Sequence, residues 1–214
     1  MPAEVGIRQQ KGKPFTATVR TTLTQFLPDG TKKTRSLEDR VARDSKGRIY
    51  REQHLPWTED INHPIYYVNI YDPVARQRIQ IDPQKRIVAI GPLEQQYQTD
   101  YNPNEYLTLR AKRAGETFKN EKLGTQEFAG VKVWGRRTTH SFPLVISGKS
   151  QMVVSMEECW YSDQAGVDVL LRRSDPRSGE PVTELVNLSD EEPNIAMFQP
   201  PAGYSIQRLP DRQR

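Results

Sequence analysis

The C-terminal half of the chain alternates apolar and polar residues with the period of two that is typical of β-strands. In residues 151–161 one apolar face includes Glu158 as its single polar member and otherwise consists of Met152, Val154, Met156 and Trp160. Turn-forming residues at 162–166 and 175–180 separate this segment from two further alternating runs. The pattern predicts three antiparallel strands joined by hairpins.

The N-terminal half shows the same alternation. From residue 15 onward, threonine and arginine side chains share one face, and the other face consists of Phe15, Ala17, Val19 and Leu23. Further strand-like runs lie at 31–43, 49–52, 65–71, 78–81 and 86–90. Because strands recur about every ten residues with turn signals between them, the sequence predicts a hairpin-joined antiparallel sheet and not βαβ units.

Residues 91–120 interrupt this rhythm. Within them, the segment 104–114 has a candidate N-cap in Asn104, good helix-forming residues and a glycine stop at Gly115. The segment is therefore predicted to be either a short helix or a linker between two β halves.

The two ends of the chain are polar and lack periodicity. We expect a disordered arm over residues 1–13 and a polar tail over residues 207–214. Residues 14–206 between them are predicted to form a single β-rich domain, since a chain of this length can bury one sizeable core.

Motifs of the C-terminal half resemble a known family. In chain order they are Glu158-x-Trp160-Tyr161, Gly166-x-x-x-Leu170, Asp175-Pro176-x-x-Gly179, Val186-Asn187-Leu188 and Phe198-x-x-Pro201-Ala202-Gly203-Tyr204. Over residues 122–206 this order resembles the C-terminal half of outer-membrane lipoprotein carrier and receptor proteins of the LolA and LolB type. It also resembles related uncharacterised bacterial secreted proteins.

The resemblance implies a mainly β fold: a curved antiparallel sheet, or half-barrel, of the LolA type with one or a few short helices. It further implies a non-enzymatic exported protein whose concave apolar face binds an acyl chain or a lipidated partner. The candidate ligand-binding residues on that face are Val19, Leu23, Val68, Ile70, Ile81, Val154, Met156, Trp160, Val169 and Leu171. The alternative is a β-sheet scaffold or protein-interaction module that fills its core with its own side chains.

The net charge is +4, from 31 Lys and Arg against 27 Asp and Glu. The basic residues are interspersed with acidic ones, and no zinc-finger, helix-turn-helix or RNA-recognition motif is present. We therefore expect a solvated strand face and no specific nucleic-acid partner. Peripheral association with an anionic membrane stays open, because scattered cations lower the free energy of approach to anionic lipid.

The cellular location of the protein is predicted from the family resemblance and not from a secretory signal sequence. Residues 1–6 lack the apolar core of a secretory signal, and no run approaches the ~20 apolar residues of a membrane span. If the protein is periplasmic or secreted, as the resemblance implies, we expect its signal to be missing from this sequence. A cytoplasmic protein is the alternative.

Few residues carry recognisable chemistry. The single cysteine, Cys159, lies mid-strand, where packing is favoured over a nucleophilic role. The histidines His54, His63 and His140 are scattered, and HExxH, phosphate-loop and Gly-x-Ser-x-Gly motifs are missing. We expect no metal site, no cofactor and no catalytic site, and a hydrolase that uses His140 is the least favoured alternative.

Glu158 stands out because a carboxylate on an apolar strand face needs a partner. We expect a structural ion pair with Arg136, Arg137 or Arg172. Trp160, two residues further on the same face, is either a core residue or a wall of the predicted cavity.

Overall fold

A computed structural model describes residues 7–26, 29–54, 67–97, 115–146, 148–176 and 180–210. Strands account for 66% of the structure, and almost none of it is helix, so the fold is mainly β. The segment 104–114, predicted to be either a short helix or a linker, lies outside the described residues.

Twelve strands form one sheet. In chain order they are β1 Phe15–Phe26, β2 Lys32–Arg43, β3 Ile49–Gln53, β4 Tyr67–Asp72, β5 Gln77–Asp82, β6 Ile87–Pro92, β7 Thr117–Phe128, β8 Val131–Ile146, β9 Lys149–Ser162, β10 Val167–Ser174, β11 Glu180–Ser189 and β12 Ser205–Arg208. Within the described residues the helical elements are two single 3₁₀ turns, Gln95–Tyr97 and Ile195–Phe198.

The order of strands across the sheet is β12-β6-β5-β4-β3-β2-β1-β11-β10-β9-β8-β7. Neighbouring strands whose register is defined run antiparallel, except that β12 pairs with β6 in parallel. The predicted mainly β, antiparallel fold class is confirmed.

The hairpin turns follow from local sequence. Asp72 and Asp82 each begin an Asp-Pro turn, and each side chain accepts hydrogen bonds from the backbone N–H groups two and three residues later. Between β7 and β8, Ala129 and Gly130 have φ of 51° and 77°. Two consecutive positive φ values give the primed turn that matches the right-handed twist of paired strands.

The longest hairpin of the sheet joins β8 and β9 and turns at Gly148, which has φ of 76°. The register between these strands runs from Trp134 opposite Tyr161 to Ile146 opposite Lys149. Pro143 lies beyond Ser141, where the register with β7 ends, and a proline is tolerated in a strand where its missing N–H is not required for pairing.

The chain folds as two compact units. The described part of the first unit comprises residues 20–36 and 115–185, and that of the second comprises 7–19, 37–97 and 186–210. Strands β1, β2 and β11 contribute residues to both. Each unit has buried apolar residues of its own.

The second unit has an apolar core on one face of β2–β6. It is built from Ala42, Val68, Ile70, Ile79, Ile81 and Val88, and the chain's own Phe198 packs among them. Met197 and Tyr204 add further cover, and the Arg48 guanidinium carbon lies 4.8 Å from the Phe198 ring centroid. Phe198 reaches this core from the single 3₁₀ turn Ile195–Phe198, whereas Ile195 of the same turn is 56% exposed.

The opposite face of the same strands is polar. Asn69 is fully buried, and its amide nitrogen donates to Gln53 while its oxygen accepts from the guanidinium of Arg78. Arg78 also donates to Glu94 at 2.7 Å. Each polar group in this network has a partner, which is the condition under which burial of such groups is tolerated.

Arg43 holds the start of the chain in the second unit. It is fully buried, and it donates hydrogen bonds to the backbone oxygens of Arg8 and Lys13. Ile7 and Gln9 are also buried. Residues 7–10 are therefore buried or half-buried, although they lie within the arm that the sequence predicted to be disordered. At the other end, β12 continues to Arg208, inside the predicted polar tail.

Candidate ligand-binding surface

The first unit exposes an apolar surface on one face of the β8–β9 hairpin. Pro143 lies opposite Met152 and Val145 lies opposite Ser150, so these side chains emerge on the face that also carries Val154 and Met156. Val145 is 70%, Met152 61% and Val154 52% exposed, and Met156 is half-buried. We name Pro143, Val145, Met152, Val154 and Met156 the hairpin patch.

The reverse face of the hairpin explains why the patch is exposed. Val153 and Phe142 are buried there. The His140 ring stacks between Phe118 at 4.2 Å and Phe142 at 4.6 Å. The hairpin thus contributes to the core with the side chains of this reverse face. The apolar side chains of the hairpin patch are not part of that core.

His140 has one carboxylate neighbour. Its Nε2 lies 3.6 Å from a carboxylate oxygen of Glu116, and both side chains are mostly buried. Stacked between two phenylalanines, the imidazole is a packing element on the reverse face and offers no nucleophile to the hairpin patch.

Further along β9, Glu158 forms the ion pair that the sequence predicted. Its carboxylate accepts hydrogen bonds from Arg137 at 2.8 Å and from Trp160 Nε1 at 2.8 Å, and Arg172 lies 3.7 Å away. Burial acts to raise the pKa of Glu158, but these hydrogen bonds and the two guanidinium charges outweigh it and hold the pKa below its ordinary value. Arg136, the third predicted partner, instead faces Asp168 at 3.6 Å.

Trp160 packs across β8 onto a glycine. Gly135 is its direct cross-strand partner, and a β-carbon built at position 135 would lie 2.7 Å from two ring atoms of Trp160. The indole therefore occupies the space that a side chain at 135 would need. Trp160 is 8% exposed, so it is a core residue in this unit.

Cys159 lies on the opposite face of β9 from Trp160 and packs against Leu171. Burial raises the pKa of the Cys159 thiol well above its ordinary value, and the hydrogen bond and charge of Asp168 act in the same direction. A thiol that stays protonated is a poor nucleophile. The geometry supports the packing role that the sequence predicted.

The ten predicted ligand-binding residues do not share one surface. Val68, Ile70 and Ile81 belong to the core of the second unit, where Phe198 packs among them. Val19 is buried in that unit, whereas Leu23 is half-buried in the first unit. Trp160, Val169 and Leu171 are buried in the first unit, and the hairpin patch contains only Val154 and Met156.

A β-bulge explains part of this dispersal. The register between β9 and β10 shifts between Asp168 and Leu170, so Leu170 lies opposite Trp160 and Leu171 opposite Cys159. A bulge inserts one residue, and every side chain beyond it moves to the other face. The simple alternation that placed Trp160 and Leu171 on one face is therefore wrong.

Sequence reasoning missed Pro143, Val145 and Met152 as members of a binding surface. Their signal was present as a continuous apolar run at 142–146 before Gly148 and a second apolar run at 152–154 after it. The turn-like composition of 141–150 obscured it, because serine, proline and glycine are frequent in loops.

Other kinds of site find little support. Among the residues that the structure describes, no three His, Cys, Asp or Glu side chains are grouped as metal ligands would be. A shallow, open cavity of about 300 Å³ lies at the β7–β8 turn, lined by the polar residues Thr125, Gln126, Glu127, Gly130 and Lys132. Within the described ranges, no helix has the length and apolar character needed to cross a bilayer.

Comparison with known proteins supports the fold. No protein-family model and no curated protein sequence matches the chain. An uncharacterized conserved protein from Thermus thermophilus has a similar structure, with a TM-score of 0.50 and 10% identity over 92% of this chain and 91% of that one. At this identity the likeness concerns the fold alone.

Two weaker matches carry no argument about this chain. MucB matches with a TM-score of 0.42 and 11% identity, over 93% of this chain and 60% of its own. A domain from Vibrio parahaemolyticus, a candidate outer membrane lipoprotein-sorting protein, matches with a TM-score of 0.34 and 11% identity, over 89% of this chain and 91% of its own.

Proposed function

We propose that this chain is a non-enzymatic, exported binding protein that takes an acyl chain, of a lipid or of a lipidated partner, on the hairpin patch. The observation that carries the proposal is the exposure of Val145, Met152 and Val154 on one face of a hairpin whose other face is already packed. Apolar side chains clustered on a surface commonly mark a binding site.

The energetic argument rests on apolar area. Each CH₂ group that moves from water onto the patch contributes about 0.8 kcal/mol, against the cost of immobilising the chain. Binding should therefore strengthen with chain length. Methionines such as Met152 and Met156 suit a chain of variable shape, because the unbranched thioether adapts to its partner.

The second candidate function is a scaffold or protein-interaction module without a small ligand. The packing of Phe198, Met197 and Tyr204 onto the core of the second unit favours it, since the chain itself fills that face. The two candidates differ in what contacts the hairpin patch: an acyl chain in the first and an apolar protein surface in the second.

The proposal includes a periplasmic or secreted location and an attraction to anionic membrane surfaces. Lys32, Lys33 and Arg35 at the start of β2 are exposed and would serve this attraction. Fractionation of cells that express the complete natural gene, with immunodetection of the product, tests the location. Recovery in the cytoplasmic fraction would contradict the exported part of the proposal.

A titration with saturated fatty acids of increasing length tests the binding proposal. We expect saturable binding by calorimetry that strengthens with length, and loss of that binding in Val154→Asp and Met152→Asp. Because both residues are exposed, these variants should fold, whereas aspartate at the fully buried Val169 would unfold the unit.

Val74→Asp is the matched control, since Val74 is 64% exposed in a turn of the second unit. It should bind as the unmodified protein does. Absence of saturable binding at every chain length, with no lipid in an organic extract of the purified protein, would favour the scaffold function.

A further inference from the structure

The strand β7 is the last in the sheet order, and no strand of the described residues pairs with its outer edge. It is twelve residues long, and among the described strands it pairs with β8 alone. Its side chains are mostly exposed. At the other end of the sheet order, β12 has only four residues. An open edge of this length presents N–H and C=O groups that can pair with another strand.

Charges along β7 decide which strand can pair. Residues 117–122 pair regularly with β8, and the register then shifts between Lys122 and Gly124. Within the regular stretch, Lys119 and Glu121 are two positions apart and therefore lie on the same face. Their side chains are 71% and 34% exposed, and they lie 2.9 Å from each other.

From this pattern we propose that β7 pairs antiparallel with β7 of a second copy of the chain, about a two-fold axis at Asn120. In that register Lys119 of each copy lies opposite Glu121 of the other, so the contact contains two cross-strand pairs of opposite charge. On the other face, Phe118 lies opposite Lys122, whose alkyl stem can cover the ring.

The same charges exclude the neighbouring registers. Because the two-fold axis is perpendicular to the sheet, residues that lie directly opposite each other must share a face. The axis therefore passes through a residue and not between two residues, and neighbouring registers differ by a shift of the axis by one residue. Moving it to Lys119 places Lys119 opposite its own copy, and moving it to Glu121 places Glu121 opposite its own copy. Like charges directly opposite each other are unfavourable, so the register about Asn120 is favoured over these two neighbours.

Charged residues on an edge strand ordinarily prevent pairing with unrelated strands. The charges of β7 disfavour pairing with unrelated strands, and they are complementary to the charges of β7 in a second copy of the chain. The bulge at Gly124, with φ of 81°, ends the regular edge and limits the contact to the stretch around Asn120. A closed dimer is therefore expected in place of an extended assembly.

Charge reversal tests the pairing. We expect the unmodified protein to dimerise reversibly in sedimentation velocity experiments. Lys119→Glu and Glu121→Lys should each weaken the dimer by about tenfold or more, because each replaces two opposite-charge pairs with two like-charge pairs. The double variant Lys119→Glu with Glu121→Lys restores opposite charges and should dimerise as the unmodified protein does.

Mixing the two single variants is the sharpest measurement. One copy then carries two glutamates and the other two lysines, so the mixture should form a heterodimer although neither variant dimerises well alone. Lys85→Glu, at an exposed ion pair with Asp82 in the second unit, is the control and should leave dimerisation unchanged.

Two results would overturn the inference: an unmodified protein that stays monomeric at all accessible concentrations, or single variants that dimerise as strongly as the unmodified protein. The outcome is independent of the proposed ligand. Val154→Asp, which should abolish acyl binding, leaves the β7 edge intact and should dimerise normally.

Discussion

The indole of Trp160 occupies the position that a side chain at Gly135 would need. A β-carbon there would approach ring atoms to 2.7 Å, a distance that real contacts of this kind essentially never show. Gly135 is not in the left-handed region, so its role is spatial: only a residue without a β-carbon lets a large aromatic ring lie flat over the neighbouring strand.

We predict that Gly135→Ala destabilises the first unit by about 1–3 kcal/mol, the cost of overpacking a core. Denaturant unfolding followed by Trp fluorescence measures it. Gly91→Ala is the control, because a β-carbon at that strand glycine would meet Leu209 at 3.4 Å or more. If the ring is the cause, Trp160→Leu should remove most of the cost in a double-mutant cycle.

The ion pair of Glu158 predicts a pH dependence of stability. Its pKa is held below the ordinary value of 4.5 in the folded protein. The unfolded chain therefore binds a proton first as pH falls, so the stabilisation is fully present above pH 4.5 and is lost as pH falls through the lowered folded pKa.

Glu158→Gln should accordingly be less stable than the unmodified protein near neutral pH, and the difference in unfolding free energy should shrink below about pH 4. Urea unfolding across this pH range measures it. Glu127→Gln, at an exposed position of β7, is the control and should leave the unfolding free energy near neutral pH close to that of the unmodified protein. A constant difference at every pH would mean that Glu158 acts through packing and not through its charge.

For Cys159 we predict that substitution is mild and that the thiol is unreactive. The residue is 2% exposed, and its pKa is raised. Cys159→Ala should cost roughly 1 kcal/mol, as expected for a small buried side chain, and should leave acyl binding unchanged. Native protein should react with iodoacetamide far more slowly than urea-unfolded protein. Rapid native alkylation would contradict the buried, protonated thiol.

Phe198 should contribute strongly to the stability of the second unit. Removing its ring uncovers the Val68–Ile70–Ile79–Ile81 face and the contact with Arg48, so Phe198→Ala should cost about 3–5 kcal/mol. Ile195→Ala, three residues earlier and 56% exposed, should change the unfolding free energy by less than about 0.5 kcal/mol in the same thermal or urea experiment. Equal effects of the two substitutions would contradict the assignment of Phe198 to the core.

The fold class was predictable from the sequence because its signals are local. An alternation with a period of two identifies strands, and the turns at Asp72-Pro73, Asp82-Pro83 and Ala129-Gly130 identify hairpins. The partner of Glu158 was also predictable in type, since a carboxylate on an apolar face must be compensated and arginines lie on adjacent strands.

The binding residues were not predictable in the same way. Alternation along a strand indicates which side chains share a face, but it does not indicate which face is buried by the rest of the chain. The face that carries Val68 and Ile70 is buried by Phe198, which is distant in the sequence. Likewise, the bulge at Asp168–Leu170 is defined only against the partner strand β9. It separates Leu171 from Trp160, which no count along a single strand could show.

The sequence by itself thus determined the strands, the turns and the need to neutralise Glu158, because side-chain period, backbone conformation and charge are properties of nearby residues. The tertiary structure alone decided that Val68 and Ile70 are sealed by the chain's own Phe198 and that Met152 and Val154 face solvent. Burial depends on which segments meet in space, and that is fixed by pairing register and by packing between residues far apart in the chain.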